Sequence, residues 1–264
     1  MIITSKDNNE IKRVKKLYEK KYREEENSFI IDGIKIFNEA VREKAQIEKV
    51  FYCKELLEKN SQLTSQAFFD NLEKYEKIEI SEILFKHISE LQNPQGIIAI
   101  VKKKENQEIN FNHKLYLALD DIQDPGNMGT IIRTADSCGI NQIICSKDTA
   151  DCFNSKVIRA TMGAIFRVNI IYKENLKEML EEFKEKNIKV LVTDLSASKT
   201  IYEVDLKKSI MVIGNEANGV SKEILEIATN KIKIPMEGRA ESLNAAVATG
   251  IIIYEAKRQI NYNK

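Results

Sequence analysis

The chain has 264 residues, with 41 Lys and Arg against 40 Asp and Glu, and 43% of its residues are apolar. That length carries two modest domains or one large one with a real core. The net charge of +1 excludes a global basic field, and no run of about 18 apolar residues is present to span a membrane.

The N-terminus, MIITSKDNNE, lacks the apolar stretch of a secretory signal, so the expected compartment is the cytoplasm. Cys53, Cys138, Cys145 and Cys152 contain no CxxC pair and read as free core thiols. His87 and His113 stand apart from any second ligand cluster, so no metal site is expected. Residues 1–23 carry eight Lys or Arg against three acids, on a helix whose apolar stripe is Ile11, Val14, Leu17 and Tyr18. This is either a solvated surface helix or a contact for nucleic-acid phosphates.

Residues 1–105 then alternate between helix and strand patterns. "SFIIDGIKIFNEAVRE" reads as strand, Gly turn and helix; "IEKVFYC" is a strand and "KELLEKNSQL" a helix. "FFDNLEKYEKIEIS" ends in a short strand, "SEILFKHISEL" is helical, and the apolar run "GIIAIVK" suits a buried parallel or central strand. The charged and polar residues 106–113 read as a linker, followed by a second domain over 114–264. Here strands "LYLALDDI", "QIICS", "FRVNIIY", "KVLVTDL", "SIMVIG" and "NKIKIP" alternate with helices, which predicts an α/β fold on a mostly parallel sheet. Function in such sheets sits in loops leaving the carboxyl ends of strands.

Three such loops stand out. In "DDIQDPGNMGTIIRTADSCGI", Pro125-Gly126-Asn127 is a turn signal, and a helix follows from Met128 to Cys138, closed by Gly139. Arg133 on that helix either reaches back to the loop as a cation for phosphate or carboxylate, or pairs with Asp136 on the helix surface. In "IMVIGNEANGVSKEI", Gly214 and Gly219 have P-loop spacing, but Val220 stands where the P-loop needs Lys, which argues against nucleotide hydrolysis. Ser221 is the expected N-cap of the next helix. In "IKIPMEGRAESLNAAVATGIIIYEAKR", a polar loop leads to an Ala-rich helix expected to start at a Ser242 cap. That helix is apolar nearly all round, so it is either buried or packed on a partner chain. No G-x-G-x-x-G follows a strand, so a Rossmann cofactor site is not supported.

Together, "DPGNMGTIIRTADSCGI", "VIGNEANGVSKEI" and "IPMEGRAESLNAAVATGIIIYE" resemble the SpoU/TrmH family of RNA ribose methyltransferases, within the SPOUT class. The N-terminal part, best at "SFIIDGIKIFNEA", is similar to the small ribosomal-protein-like α/β domain that precedes the catalytic domain in many members. The resemblance implies a deep trefoil knot in the parallel-sheet domain, an S-adenosylmethionine pocket walled by the polar loop, and a homodimer through the last helix. Carried over by motif, Gly214, Ile234, Leu243 and Leu195 line the cofactor, while Asn127, Arg133, Glu216, Ser242 and Asn244 take polar catalytic positions. The implied reaction moves a methyl from S-adenosylmethionine to a ribose 2′-hydroxyl, so the partner is RNA and not DNA, and ribosomal RNA before transfer RNA. A guanidinium holds its proton far above neutral pH, so Arg133 is expected to stabilise a developing alkoxide rather than act as a base. A non-catalytic RNA-binding or assembly protein on the same scaffold remains the other class.

Overall fold

The computed structural model describes residues 2–104 and 108–262. The chain divides into two compact units. One holds the chain up to residue 104 together with Phe153–Phe166, and the other holds residues 108–152 and the chain from Arg167 onward.

In the first unit, α1 (Asn9–Lys16) starts at Asn8, whose side chain accepts from the Glu10 N–H. It buries Ile11 and Val14, and breaks before α2 (Lys20–Glu25), where the sequence suggested one helix. Much of the basic excess is engaged internally. Arg13 bonds Glu26 at 2.6 Å and Glu48 at 2.5 Å, Lys12 pairs with Asp7 at 3.1 Å, and buried Arg23 donates to the Leu17 and Tyr18 carbonyls. There follow β1 (Ser28–Asp32), α3 (Ile34–Arg42), β2 (Ile47–Tyr52), α4 (Lys54–Lys59), α5 (Gln66–Leu72), β3 (Lys77–Glu79), α6 (Glu82–Ile88) and β4 (Ile97–Lys102). The sheet order is β1-β4-β2-β3. The apolar run of β4 is central, but it lies antiparallel to both neighbours. Its burial on both faces, not a parallel register, explains the unbroken apolar sequence.

The second unit opens with a docked segment rather than a free tether. Of the expected linker 106–113, residues 106 and 107 lie outside the described residues; beyond them Ile109 and Phe111 pack on the core of this unit, and Tyr116 Oη donates to the Asn110 carbonyl at 2.9 Å. Then come β5 (Leu115–Asp120), α7 (Pro125–Ser137) and β6 (Gln142–Ser146). The next helix, α8 (Ser155–Thr161), belongs to the first unit. There Phe153 and Phe166, on either side of it, meet Phe29 at ring separations of 4.7 and 6.3 Å. The chain resumes the second unit with β7 (Asn169–Lys173), α9 (Leu176–Glu185), β8 (Lys189–Thr193), β9 (Lys199–Thr200), β10 (Ser209–Gly214), α10 (Lys222–Ile227), β11 (Asn230–Lys233) and α11 (Ala245–Tyr262). The sheet order is β7-β6-β5-β10-β8-β11-β9, and every pairing is parallel. Because β5, β10, β8 and β11 are neighbours, the loops leaving their carboxyl ends converge on one edge of the sheet. No described helix is long and apolar enough to cross a membrane.

Candidate active site and cofactor cleft

The loop after β5 is shorter than its sequence suggested, because α7 begins at Pro125 instead of Met128. Asp124 is the N-cap and its Oδ1 accepts from the Asn127 N–H at 2.7 Å. Pro125 takes the first helical position, where a missing N–H costs nothing. Asn127 therefore sits in the first turn, with its side chain fixed between two other loops. Its Nδ2 donates to Glu216 Oε1 at 2.9 Å, and its Oδ1 accepts from Asn244 Nδ2 at 2.8 Å. Glu216 is also gripped by the main chain before α7, accepting from the Gln123 and Asp124 N–H groups at 3.2 and 3.3 Å. Partial burial pushes the Glu216 carboxyl up, but the Asn127 amide and the surrounding N–H groups outweigh it and hold the pKa below the usual carboxylate range. Glu216 is thus a fixed anion near neutral pH.

The loop from Gly214 to Gly219 closes on itself. Asn215 and Gly219 exchange main-chain hydrogen bonds of 3.0 and 2.9 Å. A Cβ on Gly214 would stand 2.2 Å from both the Gly219 carbonyl carbon and the Val220 nitrogen, so only glycine fits there. Ser221 occupies the N-cap position of α10, but its hydroxyl makes no cap bond; instead its N–H donates to buried Asp120 Oδ2 at 2.8 Å. The cap of α11 is likewise not Ser242. Asn244 Oδ1 accepts from the Ala246 and Val247 N–H groups at 2.9 and 3.2 Å, while its amide holds Asn127. Asn244 is suited to both tasks because it carries acceptor and donor on one short side chain, which a serine hydroxyl does not match in reach.

These loops border a cleft of about 640 Å³ in the second unit. Gly214, Ile234, Leu243 and Leu195 all line it, as do Glu216, Ser242 and Asn244. Leu195 is 63% exposed and Met236 37%, so the rim presents apolar surface that no other described residue covers. Asn127 touches the lining through its two side-chain bonds. Arg133 is not part of the lining: it stands on the exposed face of α7 and forms no hydrogen bond or ion pair among the described residues. The alternative pairing with Asp136 does not form either, because Asp136 is taken by Arg167 at 2.9 Å. Among the described residues no group of three or more His, Cys, Asp or Glu side chains stands together to hold a metal ion.

Two contributors escaped the sequence reading. Asp194, at the end of β8, lines the cleft and accepts from the Ser196 N–H at 2.8 Å. Asn215 holds the loop after β10, accepting from the Ala217 and Asn218 N–H groups at 2.9 and 3.0 Å. The available signal was an Asp or Asn directly after an apolar strand, the residues that cap turns with their own side chains.

A model of the SpoU rRNA Methylase family matches residues 114–254, and a model of an MRM3-like substrate binding domain matches residues 8–99. The chain is 33% identical over 256 residues to the 23S rRNA (guanosine(2553)-2'-O)-methyltransferase RlmP of Bacillus subtilis, spanning 97% of this chain and 98% of that one. It is 32% identical over 173 residues to the 23S rRNA (guanosine-2'-O-)-methyltransferase RlmB of Bordetella pertussis, spanning 62% of this chain and 71% of that one. A solved structure of AdoMet-bound rRNA methyltransferase from Sinorhizobium meliloti superposes with a TM-score of 0.82 at 31% identity, covering 100% of this chain and 99% of that one.

Proposed function

Since the chain belongs to the SpoU rRNA methylase family, we propose that it transfers a methyl group from S-adenosylmethionine to a ribose 2′-hydroxyl of ribosomal RNA. The observation that carries this reading is the side-chain chain Glu216–Asn127–Asn244, which joins the three motif loops at the mouth of the cleft. The cleft residues fit S-adenosylmethionine: Leu195, Ile234, Met236 and Leu243 give apolar walls for an adenine, and the closed loop at Gly214 brings main chain close to a ligand. When bound, that cofactor supplies a methyl on a positively charged sulfur, already electrophilic.

The chain's own residues then orient the acceptor. Anionic Glu216 fixes the Asn127 amide and with it the first turn of α7, the helix that carries Arg133. Arg133 presents a free guanidinium to stabilise the oxygen as its proton leaves, and an RNA phosphate takes the proton. The exposed Ser242 hydroxyl shapes the cleft near the ribose. The work of the site is positioning, which alone is worth several powers of ten when the reacting atoms are held in line.

The same reading includes a trefoil knot in the second unit, the catalytic domain expected over 114–264 less the Phe153–Phe166 segment. Support comes from the path of the chain: from β11, two strands beyond β10, it returns through 234–244 over the cleft so that α11 packs against α7. It also includes a homodimer. Val247, Ile251 and Tyr254 repeat at helical spacing on α11 and are 53%, 36% and 51% exposed, an apolar stripe that a second copy covers. The first unit serves as the RNA-gripping domain, and the place of action is the cytoplasm; four buried cysteines, none of them in a disulfide, suit a reducing compartment.

The test mixes the purified chain, labelled S-adenosylmethionine and unmodified ribosomal or transfer RNA, then maps label by alkaline hydrolysis. A 2′-O-methyl blocks cleavage at its own phosphodiester. Label at a single alkali-resistant bond of ribosomal RNA is expected; label on transfer RNA alone, or none on either, overturns the reading.

A further inference from the structure

We propose that Asn215 is a positioning residue that sets the cofactor cleft and the catalytic loop in register with each other. The inference rests on the methyl-transfer reading above and adds a role to a residue that the motif positions leave unassigned. The ladder between β5 and β10 ends at the pair Asp120–Gly214. Beyond it the two chains diverge, one into the loop that reaches Asn127 and the other into the loop that lines the cleft. Asn215 joins them one residue further on: its Nδ2 donates to the Asp121 carbonyl at 2.8 Å and lies 3.4 Å from Asp121 Oδ2.

Asp121 is shaped to receive that bond. Its φ is +60°, a left-handed conformation rare outside glycine and more tolerable for Asp than for most residues. The turn takes its carbonyl out of the strand ladder, and its N–H is held by Ser146 Oγ at 2.9 Å. The other end of the Asn215 amide faces the cleft loop, where Oδ1 accepts from the Ala217 and Asn218 N–H groups. One amide thus serves two loops through two chemically distinct ends: the oxygen shapes the cleft turn, and the nitrogen fixes the catalytic loop. Glu216, the next residue, grips Gln123, Asp124 and Asn127. An error in placing Asn215 is therefore passed directly to the side chain that holds Asn127.

The two ends are separable by substitution. Asn215→Asp keeps an oxygen for the Ala217 and Asn218 N–H groups but has no donor for Asp121, and it sets a carboxylate against the Asp121 carbonyl and carboxylate. Asn215→Ala removes both functions. The experiment measures, on the full-length chain, cofactor affinity by calorimetry, amide hydrogen exchange over 121–127 and 215–219, and single-turnover methyl transfer to ribosomal RNA. For Asn215→Asp, cofactor affinity and protection at 217–218 stay near wild type, exchange over 121–127 rises about 3- to 10-fold as expected for one lost hydrogen bond, and transfer slows about 100-fold. For Asn215→Ala, cofactor affinity falls as well. Wild-type transfer by Asn215→Asp overturns the proposal, as does an equal loss of cofactor affinity and transfer in both variants, which marks a merely structural role. If the wild-type chain transfers no methyl, the functional reading fails while exchange over 121–127 still decides whether Asn215 holds that loop.

Discussion

Asn127 and Glu216, 89 residues apart in the chain, are joined side chain to side chain at 2.9 Å, and the other end of the same Asn127 amide receives Asn244. An amide held at both ends has one orientation, because donor and acceptor cannot be exchanged without breaking both bonds. Asn127→Ala and Asn244→Ala are each expected to lower kcat/KM for methyl transfer about 100-fold. The double variant should lose far less than the product of the two, since either change alone already frees the Asn127 side of the chain. Kinetics of the four proteins measure this coupling, and independent, multiplicative losses would show that the two asparagines act separately.

Arg133 calls for a different pattern. It lies on the exposed face of α7, outside the cleft lining, and has no partner among the described residues. Arg133→Ala should leave S-adenosylmethionine affinity unchanged and lower turnover at least about 100-fold. Arg133→Lys should recover only part of the loss, because a point charge does not replace the planar fork. Turnover that survives Arg133→Ala removes Arg133 from the mechanism.

Gly214 tests the cleft itself. Its missing Cβ would meet main-chain atoms of Gly219 and Val220 at 2.2 Å, and main chain cannot swing aside as a flexible side chain does. Gly214→Ala therefore forces the 215–219 turn outward. Displacements of this kind cost about 1–3 kcal/mol, so cofactor affinity should fall about 10- to 100-fold by calorimetry while the melting of the first unit is untouched. Unchanged affinity would show that this loop does not bound the cofactor.

The motif loops were legible because each carries turn chemistry at a strand end, and the parallel sheet was legible from the alternation of apolar strands with helices. What the sequence hid follows from side-chain reach and from packing. Ser242 looks like the N-cap of α11 by type, yet Asn244 does that work, and Ser221 holds the N-cap position of α10 without its hydroxyl making a cap bond, since cap chemistry depends on where the first helical turn falls. Pro125 read as part of a turn because Asp-Pro also opens helices, and only the bond from the Asn127 N–H to Asp124 tells the two apart. Phe153–Phe166 looked like part of the second domain because it lies between two of its strands. Its Val157, Ile158, Ile165 and Phe166 side chains are buried and belong to the first unit instead, a contact between distant parts of the sequence that no local pattern carries. The basic excess at the N-terminus could not be weighed without its partners Glu26 and Glu48, which lie beyond the helix.

The first unit also holds an acid with an unusual setting. Asp32 is 8% exposed, its Oδ2 accepts from Ser89 Oγ at 2.6 Å, and its Oδ1 is buried without a partner among the described residues, as are the Tyr18 hydroxyl and one Arg159 nitrogen. Burial pushes the Asp32 carboxyl up to about 6; the Ser89 bond and the Arg159 charge only partly offset it, and the Glu90 charge adds to the rise. An acid whose pKa is higher folded than unfolded binds its proton more tightly when folded. It therefore favours folding fully below the unfolded pKa near 3.8, and the advantage is lost as pH rises to about 6. The shift corresponds to at most about 3 kcal/mol. Asn in its place carries no charge and can still accept from Ser89. Asp32→Asn should therefore melt higher than wild type at pH 7 and much closer to it at pH 4, the gap opening between pH 4 and 6. Melting curves of the two proteins across that range measure it; a variant less stable than wild type at pH 7 would mean that the Asp32 charge is favourably paired in the fold.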